Sequence, residues 1–225
     1  KKSYSLNTEK IYKKKYINFF FKKFIRKDLY NKVLFSSVVP IAYKKIYVYL
    51  KKKKIKVFEI KDFQIKKLIK IKVNNFKQLG SDRIVNAIGS SQVKNTLIID
   101  FGTATTFDII KNGIYEGGVI APGIKLSIIN LNKFAALIPL LNLKDEQKSY
   151  GKNTKEALNA GFLWGYEGLV NNIINKIIIK SKSSYKITLT GGYARIFKKL
   201  IKKKTNIDQD ITIKGVAKVF KEFLI

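Results

Sequence analysis

One stretch, residues 96–123 (TLIIDFGTATTFDIIKNGIYEGGVIAPG), limits the possible folds more than any other. Its apolar run Leu97-Ile98-Ile99 reads as a buried strand and ends on a carboxylate, Asp100. Gly102, Thr103, Thr105 and Thr106 follow, then a second short strand from Phe107 to Ile110. Asn112-Gly113 supplies the two positive-φ positions of a tight hairpin turn. The return strand starts at Ile114 and closes in Gly117-Gly118 and Pro122-Gly123. The far corner of this hairpin combines an acid, glycines and hydroxyls. Gly lets backbone N–H groups approach an anion, hydroxyls add donors, and the acid can hold a cation that screens phosphate charge. The same residues would also suit an ordinary hairpin with polar turns.

The rest of the chain alternates strand and helix around this piece. Residues 3–6 read as the end of a strand, and apolar residues at helical spacing follow Thr8 as far as Arg26. The Phe19-Phe20-Phe21 run with its flanking Lys reads as core-facing rather than as a membrane-surface helix. A β-branched strand, Val33 to Val39, is closed by Pro40; a helix spans Ile41 to Leu50; Lys51 to Lys54 is its solvated end; Ile55 to Ile60 is the next strand. This order predicts an α/β layer fold with a parallel component. Beyond the hairpin, helices are expected over Ile124 to Phe134 and Thr154 to Ile179, with a loop or short strand at Leu137 to Leu143. The longer helix carries Ala157, Gly161, Gly165 and Gly168 along one face, which costs helix propensity and suits a close-packed neighbour at a subunit interface or site wall. Lys186 to Thr190 is a last buried strand, running into Gly191-Gly192 and a helix through Ala194, Phe197 and Leu200.

Composition removes several chemistries. The chain of 225 residues contains no Cys, Met or His. Disulfides, thiolate metal sites, Cys nucleophiles and His bases are therefore excluded, and acid–base work falls to a carboxylate, Lys or Tyr. The formal net charge is +31, but Arg26, Arg83 and Arg195 are the only arginines. A reader of nucleic acid would use more Arg, whose fork fits phosphate and guanine edges. Lys spread evenly among Ile and Asn indicates compositional drift with non-specific stickiness to polyanions, not a specific nucleic-acid partner. No apolar run approaches a membrane span and no signal-peptide core opens the chain, so a soluble, cytoplasmic protein without membrane association is expected.

Gly80-Ser81-Asp82-Arg83 opens a helix, with Ser81 or Asp82 as its cap. An acid beside an Arg at that point is either plain capping or a site, in which Asp82 faces a substrate hydroxyl as base and Arg83 pairs a substrate carboxylate.

Six motifs in order resemble type III pantothenate kinase: Ser36-Ser37-Val38-Val39-Pro40; Gly80-Ser81-Asp82-Arg83; Asp100-Phe101-Gly102-Thr103-Ala104-Thr105-Thr106; Gly117-Gly118 with Pro122-Gly123; Gly151-Lys152-Asn153-Thr154; and Thr190-Gly191-Gly192. The resemblance runs from about residue 30 to residue 200. It implies two ribonuclease-H-like α/β domains of the acetate-and-sugar-kinase/actin superfold, with the active site in the cleft between them. Applied to this chain, the domains would be residues 1–92 and 93–225. It implies ATP-dependent phosphorylation of pantothenate, the first step of coenzyme A synthesis, by a homodimer that requires Mg²⁺ and a monovalent cation, K⁺ or NH₄⁺. By the same resemblance, Asp82 is the base toward the pantothenate hydroxyl, and Gly80, Ser81 and Arg83 line the pantothenate site with Arg83 on the carboxylate. Asp100 would hold the monovalent cation, Thr103 would touch ATP phosphate, and Thr154 would contact pantothenate.

One departure stands out. The family opens with a strand bearing an Asp-x-Gly-Asn-Thr phosphate loop, and no such motif occurs here. With Met also absent, the chain is expected to lack its natural N-terminus and an opening hairpin. Two other classes are compatible with parts of the sequence: a non-catalytic relative acting as a transcriptional accessory or nucleic-acid-associated protein, and a sugar or acetate kinase of the same superfold. The Asp82, Asp100 and Thr154 set speaks against the first, and the Gly80 to Arg83 motif against the second.

Overall fold

The computed structural model describes residues 8–11, 13–24, 31–90, 93–146 and 149–225. Its elements alternate as the sequence predicts: α1 (Thr8–Ile11), α2 (Lys14–Phe24), β1 (Lys32–Phe35), α3 (Pro40–Lys52), β2 (Lys56–Glu59), β3 (Lys70–Ile71), α4 (Ser81–Gly89), β4 (Thr96–Phe101), β5 (Ala104–Lys111), β6 (Ile114–Pro122), α5 (Ile124–Phe134), α6 (Thr154–Ser181), β7 (Lys186–Gly191), α7 (Ala194–Lys198), β8 (Thr205–Ile207) and α8 (Ile211–Leu224). The strand expected at residues 3–6 and the helix end at Ile25-Arg26 lie outside the described residues.

The chain divides into two units. The first takes the described residues up to 68 together with 77–89 and 212–225; the second takes those within 69–76 and 90–211. Neither unit is a continuous stretch: residues 69–76 belong to the second, and α8 returns to the first.

In the first unit, β1 and β2 pair in parallel, Lys32 with Lys56 through Phe35 with Glu59. The α3 crossover between them is what a parallel pair requires. β1 is shorter than its β-branched sequence suggests. Ser37 Oγ accepts the Val39 N–H at 3.3 Å and turns the chain before Pro40, which takes a first-turn position of α3 where its missing N–H costs nothing. α4 is buried nearly all round, through Ser81, Ile84, Val85, Asn86, Ala87 and Ile88. α8, for which the sequence carried no expectation, packs on it. A side chain on Gly215 would strike the Val85 carbonyl, Thr212 Oγ1 donates to Asn86 Oδ1 at 2.7 Å, and Lys218 Nζ donates to the Ile88 carbonyl at 3.0 Å.

The second unit holds a six-stranded sheet in the order β3-β6-β5-β4-β7-β8. β5 is antiparallel to both β4 and β6, while β7 and β8 run parallel to β4. Leaving aside the edge pair from β3, this is the ribonuclease-H-like order. Asn112 (φ 53°) and Gly113 (φ 76°) make the expected tight turn, with Lys111 paired to Ile114. Strand alternation sorts the faces. Leu97, Ile99, Phe101, Phe107, Ile187 and Leu189 join a core with Ile124 and Ile128 of α5, Tyr166, Val170, Ile174 and Ile177 of α6, and Ala194 and Phe197 of α7. Val170 and Ile174 are fully buried, each worth about 1.5–3 kcal/mol. The residues between the core-facing positions, Ile98 and Asp100 on β4, point to the opposite face.

Candidate active site

The sequence-selected residues fall into three places, one in the first unit and two in the second. In the first unit, Gly80, Ser81, Asp82 and Arg83 form the entry and leading turn of α4. The Ile84 N–H makes its helical bond to the Gly80 carbonyl at 3.2 Å. Asp82 folds back over Gly80, so that any side chain at 80 would run into Asp82 Oδ1. The same oxygen accepts the Arg83 N–H at 2.8 Å. Asp82 thus takes an N–H of the leading turn, and the residue is partly exposed. Arg83 is likewise partly exposed.

Ser81 differs from the expectation of a cap or a wall. It is 4% exposed, and its Oγ lies 2.6 Å from Glu59 Oε1 and 3.3 Å from the Ser37 carbonyl. Its hydroxyl is turned into the protein. Glu59 was missed by the sequence reading, although Glu59-Ile60-Lys61-Asp62 carries a signal. It is a reciprocal capping pair: Glu59 Oε2 accepts the Lys61 N–H and Asp62 Oδ2 accepts the Glu59 N–H, both at 2.8 Å. Tyr43 stands near this acid pair. Burial, and then the charges of Asp62 and Glu59, raise its phenol above its ordinary pKa.

In the second unit, Asp100 and Thr103 share the β4–β5 corner. The Gly102 N–H donates to the Ala104 carbonyl at 3.1 Å, closing a tight turn that leaves Gly102 and Thr103 exposed. The Thr103 carbonyl seats directly against Gly123, where no Cβ would fit. The Gly-Thr corner and the Pro-Gly corner therefore clasp each other. Asp100 is in register with Thr106 on β5 and Thr190 on β7, so one carboxylate and two hydroxyls lie side by side on the same face of the sheet. Beyond Thr190, Gly191 takes φ 85° and its backbone packs against Asp100 Oδ1 and the Phe101 carbonyl. Gly192 N–H donates to that carbonyl at 3.2 Å.

Among the described residues no cluster of three or more Asp or Glu could hold a metal ion.

Thr154 lies elsewhere in the second unit. It is the first residue of α6, whose N-cap Asn153 accepts the Glu156 N–H at 3.0 Å. It lines an apolar groove of about 530 Å³ with Pro122, Ser127, Gly161, Gly165 and Tyr166, and neither Asp100 nor Thr103 is among the lining residues. Ser127 Oγ and Tyr166 OH meet at 2.8 Å at its floor. Gly161, Gly165 and Gly168 are exposed, and a Cβ on any of them would meet nothing within 4 Å. The Cβ positions of these three glycines are therefore open, and Gly161 and Gly165 form part of the groove wall. Among the described residues no helix is long and apolar enough to cross a membrane.

Comparison with known proteins points in one direction. The family model described as type III pantothenate kinase matches residues 1–176. The type III pantothenate kinase of Pelagibacter ubique (strain HTCC1062) is 51% identical over 190 residues, covering 84% of this chain and 76% of that protein. The type III pantothenate kinase of Cereibacter sphaeroides (strain ATCC 17029 / ATH 2.4.9) is 36% identical over 149 residues, covering 65% of this chain and 58% of that protein. The match thus spans less than two thirds of the second relative's length. Among solved structures, a Campylobacter jejuni protein described as a conserved Baf family transcriptional activator superposes with a TM-score of 0.64 at 20% identity, over 97% of this chain and 89% of that one. At that identity the likeness concerns the fold alone.

Proposed function

The chain belongs to the type III pantothenate kinase family, kinases of the first step of coenzyme A synthesis, and we propose that it transfers the γ-phosphoryl group of ATP to pantothenate. The observation that carries this reading is Asp82, a partly exposed carboxylate held in the leading turn of α4 by Gly80 and the Arg83 N–H. In the reaction the pantothenate hydroxyl oxygen attacks the γ-phosphorus, the bond to the β–γ bridging oxygen breaks, ADP leaves, and the hydroxyl proton passes to Asp82. Phosphoryl transfer asks for positioning and charge screening more than for covalent chemistry, so one carboxylate base suffices and the lack of His is no obstacle.

Arg83 would pair the pantothenate carboxylate, which its planar fork suits. Gly80 and Ser81 would offer that substrate backbone rather than side chain, since the Ser81 hydroxyl is engaged inside the protein. Thr103, at an exposed Gly-Thr turn, would meet ATP phosphate. Mg²⁺ travels with ATP and neutralises charge on its phosphates. Asp100, with Thr106 and Thr190 beside it, would hold K⁺ or NH₄⁺. Thr154 would contact pantothenate from the start of α6. The open Gly161, Gly165 and Gly168 face supports a homodimer, and a cytoplasmic location follows from the metabolic role.

A coupled assay of ADP release tests the reading, with pantothenate compared against glucose and acetate. Release that depends on pantothenate alone supports it. Release with glucose or acetate and none with pantothenate overturns it.

A further inference from the structure

We propose that Glu59 is a positioning residue for this reaction, fixing the leading turn of α4 through Ser81; the proposal rests on the reading of Asp82 as base. Glu59 ends β2, and both of its carboxylate oxygens are engaged by the protein. Oε1 takes Ser81 Oγ at 2.6 Å, and Oε2 takes the Lys61 N–H at 2.8 Å. Its own N–H donates to Asp62 Oδ2 at 2.8 Å. The partly exposed side chain is therefore held through both oxygens, with Oε1 on Ser81.

The Ser81 hydroxyl has one proton and two acceptors in reach. The carboxylate at 2.6 Å lies within the range of charge-assisted O–H···O⁻ bonds, whereas the Ser37 carbonyl at 3.3 Å is at the weak limit. The proton goes to Glu59. This bond spans 22 residues and ties α4 to the β2 edge at the residue before Asp82. Asp82's bond to Arg83 N–H is local to the turn and cannot orient the turn against the rest of the unit. Farther along, α8 fixes the body of α4 at Val85, Asn86 and Ile88. The Glu59–Ser81 bond adds a long-range tie at the residue before Asp82, and so helps aim the leading turn that carries Asp82 and Arg83.

A displacement of about 1 Å in a reacting group is enough to cost up to about 10²-fold in rate. The test compares Glu59→Ala, Ser81→Ala, the double variant, Ser81→Thr and Asp82→Asn, each first shown to be folded by thermal unfolding. Turnover is read as separate kcat and KM values for pantothenate and ATP, and pantothenate affinity by calorimetry. Each single alanine variant is expected to lose about tenfold in kcat/KM for pantothenate, with the KM for ATP within twofold of wild type. The double variant should lose no more than the worse single, since the Glu59–Ser81 bond is already absent from each single variant. Ser81→Thr, which keeps the hydroxyl, should restore most of the loss.

Should Glu59→Ala fail to fold, Ser81→Ala, which removes one oxygen, carries the test. Wild-type kinetics in Ser81→Ala beside an inactive Asp82→Asn would overturn the positioning role and leave the base reading standing. Equal rises in KM for both substrates would mean general loosening and would also overturn it. Full turnover in Asp82→Asn would remove the base reading, and the proposal with it.

Discussion

The backbone of Gly191 lies directly over the carboxylate of Asp100: a Cβ at position 191 would stand 2.6 Å from Asp100 Oδ1 and as close to the Phe101 carbonyl oxygen. Gly191 also has φ 85°, a conformation that L side chains resist. Gly191→Ala is therefore expected to lose about 1–3 kcal/mol in chemical denaturation, through strain and crowding together. A change under about 0.5 kcal/mol, typical of a surface substitution, would show that the two strands do not meet so closely.

Asp100 shares its face with Thr106 and Thr190, and this row is where a monovalent cation would sit. Activity should depend on K⁺ or NH₄⁺, with Na⁺ a poor substitute. Asp100→Ala should weaken ATP binding more than pantothenate binding. Titration of each substrate against wild type and variant, at fixed ionic strength and with each cation in turn, measures both. Equal activity in Na⁺ and K⁺ would leave Asp100 as an acceptor within the hairpin.

The groove face of α6 makes a prediction of opposite signs. A Cβ at Gly165 meets nothing within 4 Å, so Gly165→Leu should not clash at its Cβ, and it should raise helix propensity by about 0.5–1 kcal/mol. If a second copy covers this face, the same change should shift the sedimentation of a dimeric wild type toward monomer. A wild type that is monomeric throughout would contradict the covering.

Tyr43 gives a pH dependence. Burial and the nearby acids raise its pKa in the folded state above 10.0. Below pH 10 the phenol is protonated in both folded and unfolded chains, and its contribution to stability is complete. As the pH climbs past 10, the unfolded chain loses this proton first, and the contribution falls until the folded group has titrated too. Tyr43→Phe should therefore show a shallower alkaline decline in stability than wild type, by denaturant titration at a series of pH values. Parallel curves would mean that Tyr43 ionises as an exposed phenol.

Much of this was legible from local chemistry. Asn112-Gly113 fixed the hairpin turn because two positive φ values admit few other residues. Alternation along 97–101 separated Asp100 from the core residues on either side of it. The bounds of α5 matched their sequence expectation because Pro122-Gly123 marks its start. What escaped notice depends on distant pairs. Nothing near Ser81 announces that its hydroxyl belongs to Glu59, 22 residues away. Gly215 inside α8 reads as a weak helix position until Val85 is seen against it. The glycines of α6 suggested close packing, yet their Cβ positions are open.

The account turns on Asp82, and steady-state kinetics of Asp82→Asn with ATP and pantothenate tests it most directly. The substitution keeps the shape of the side chain and an oxygen for the Arg83 N–H, but removes its basicity. The predicted result is a fall in kcat of about 10²-fold or more, with thermal unfolding and pantothenate affinity nearly unchanged. An unchanged kcat would contradict the account and reduce Asp82 to an acceptor for its own helix turn.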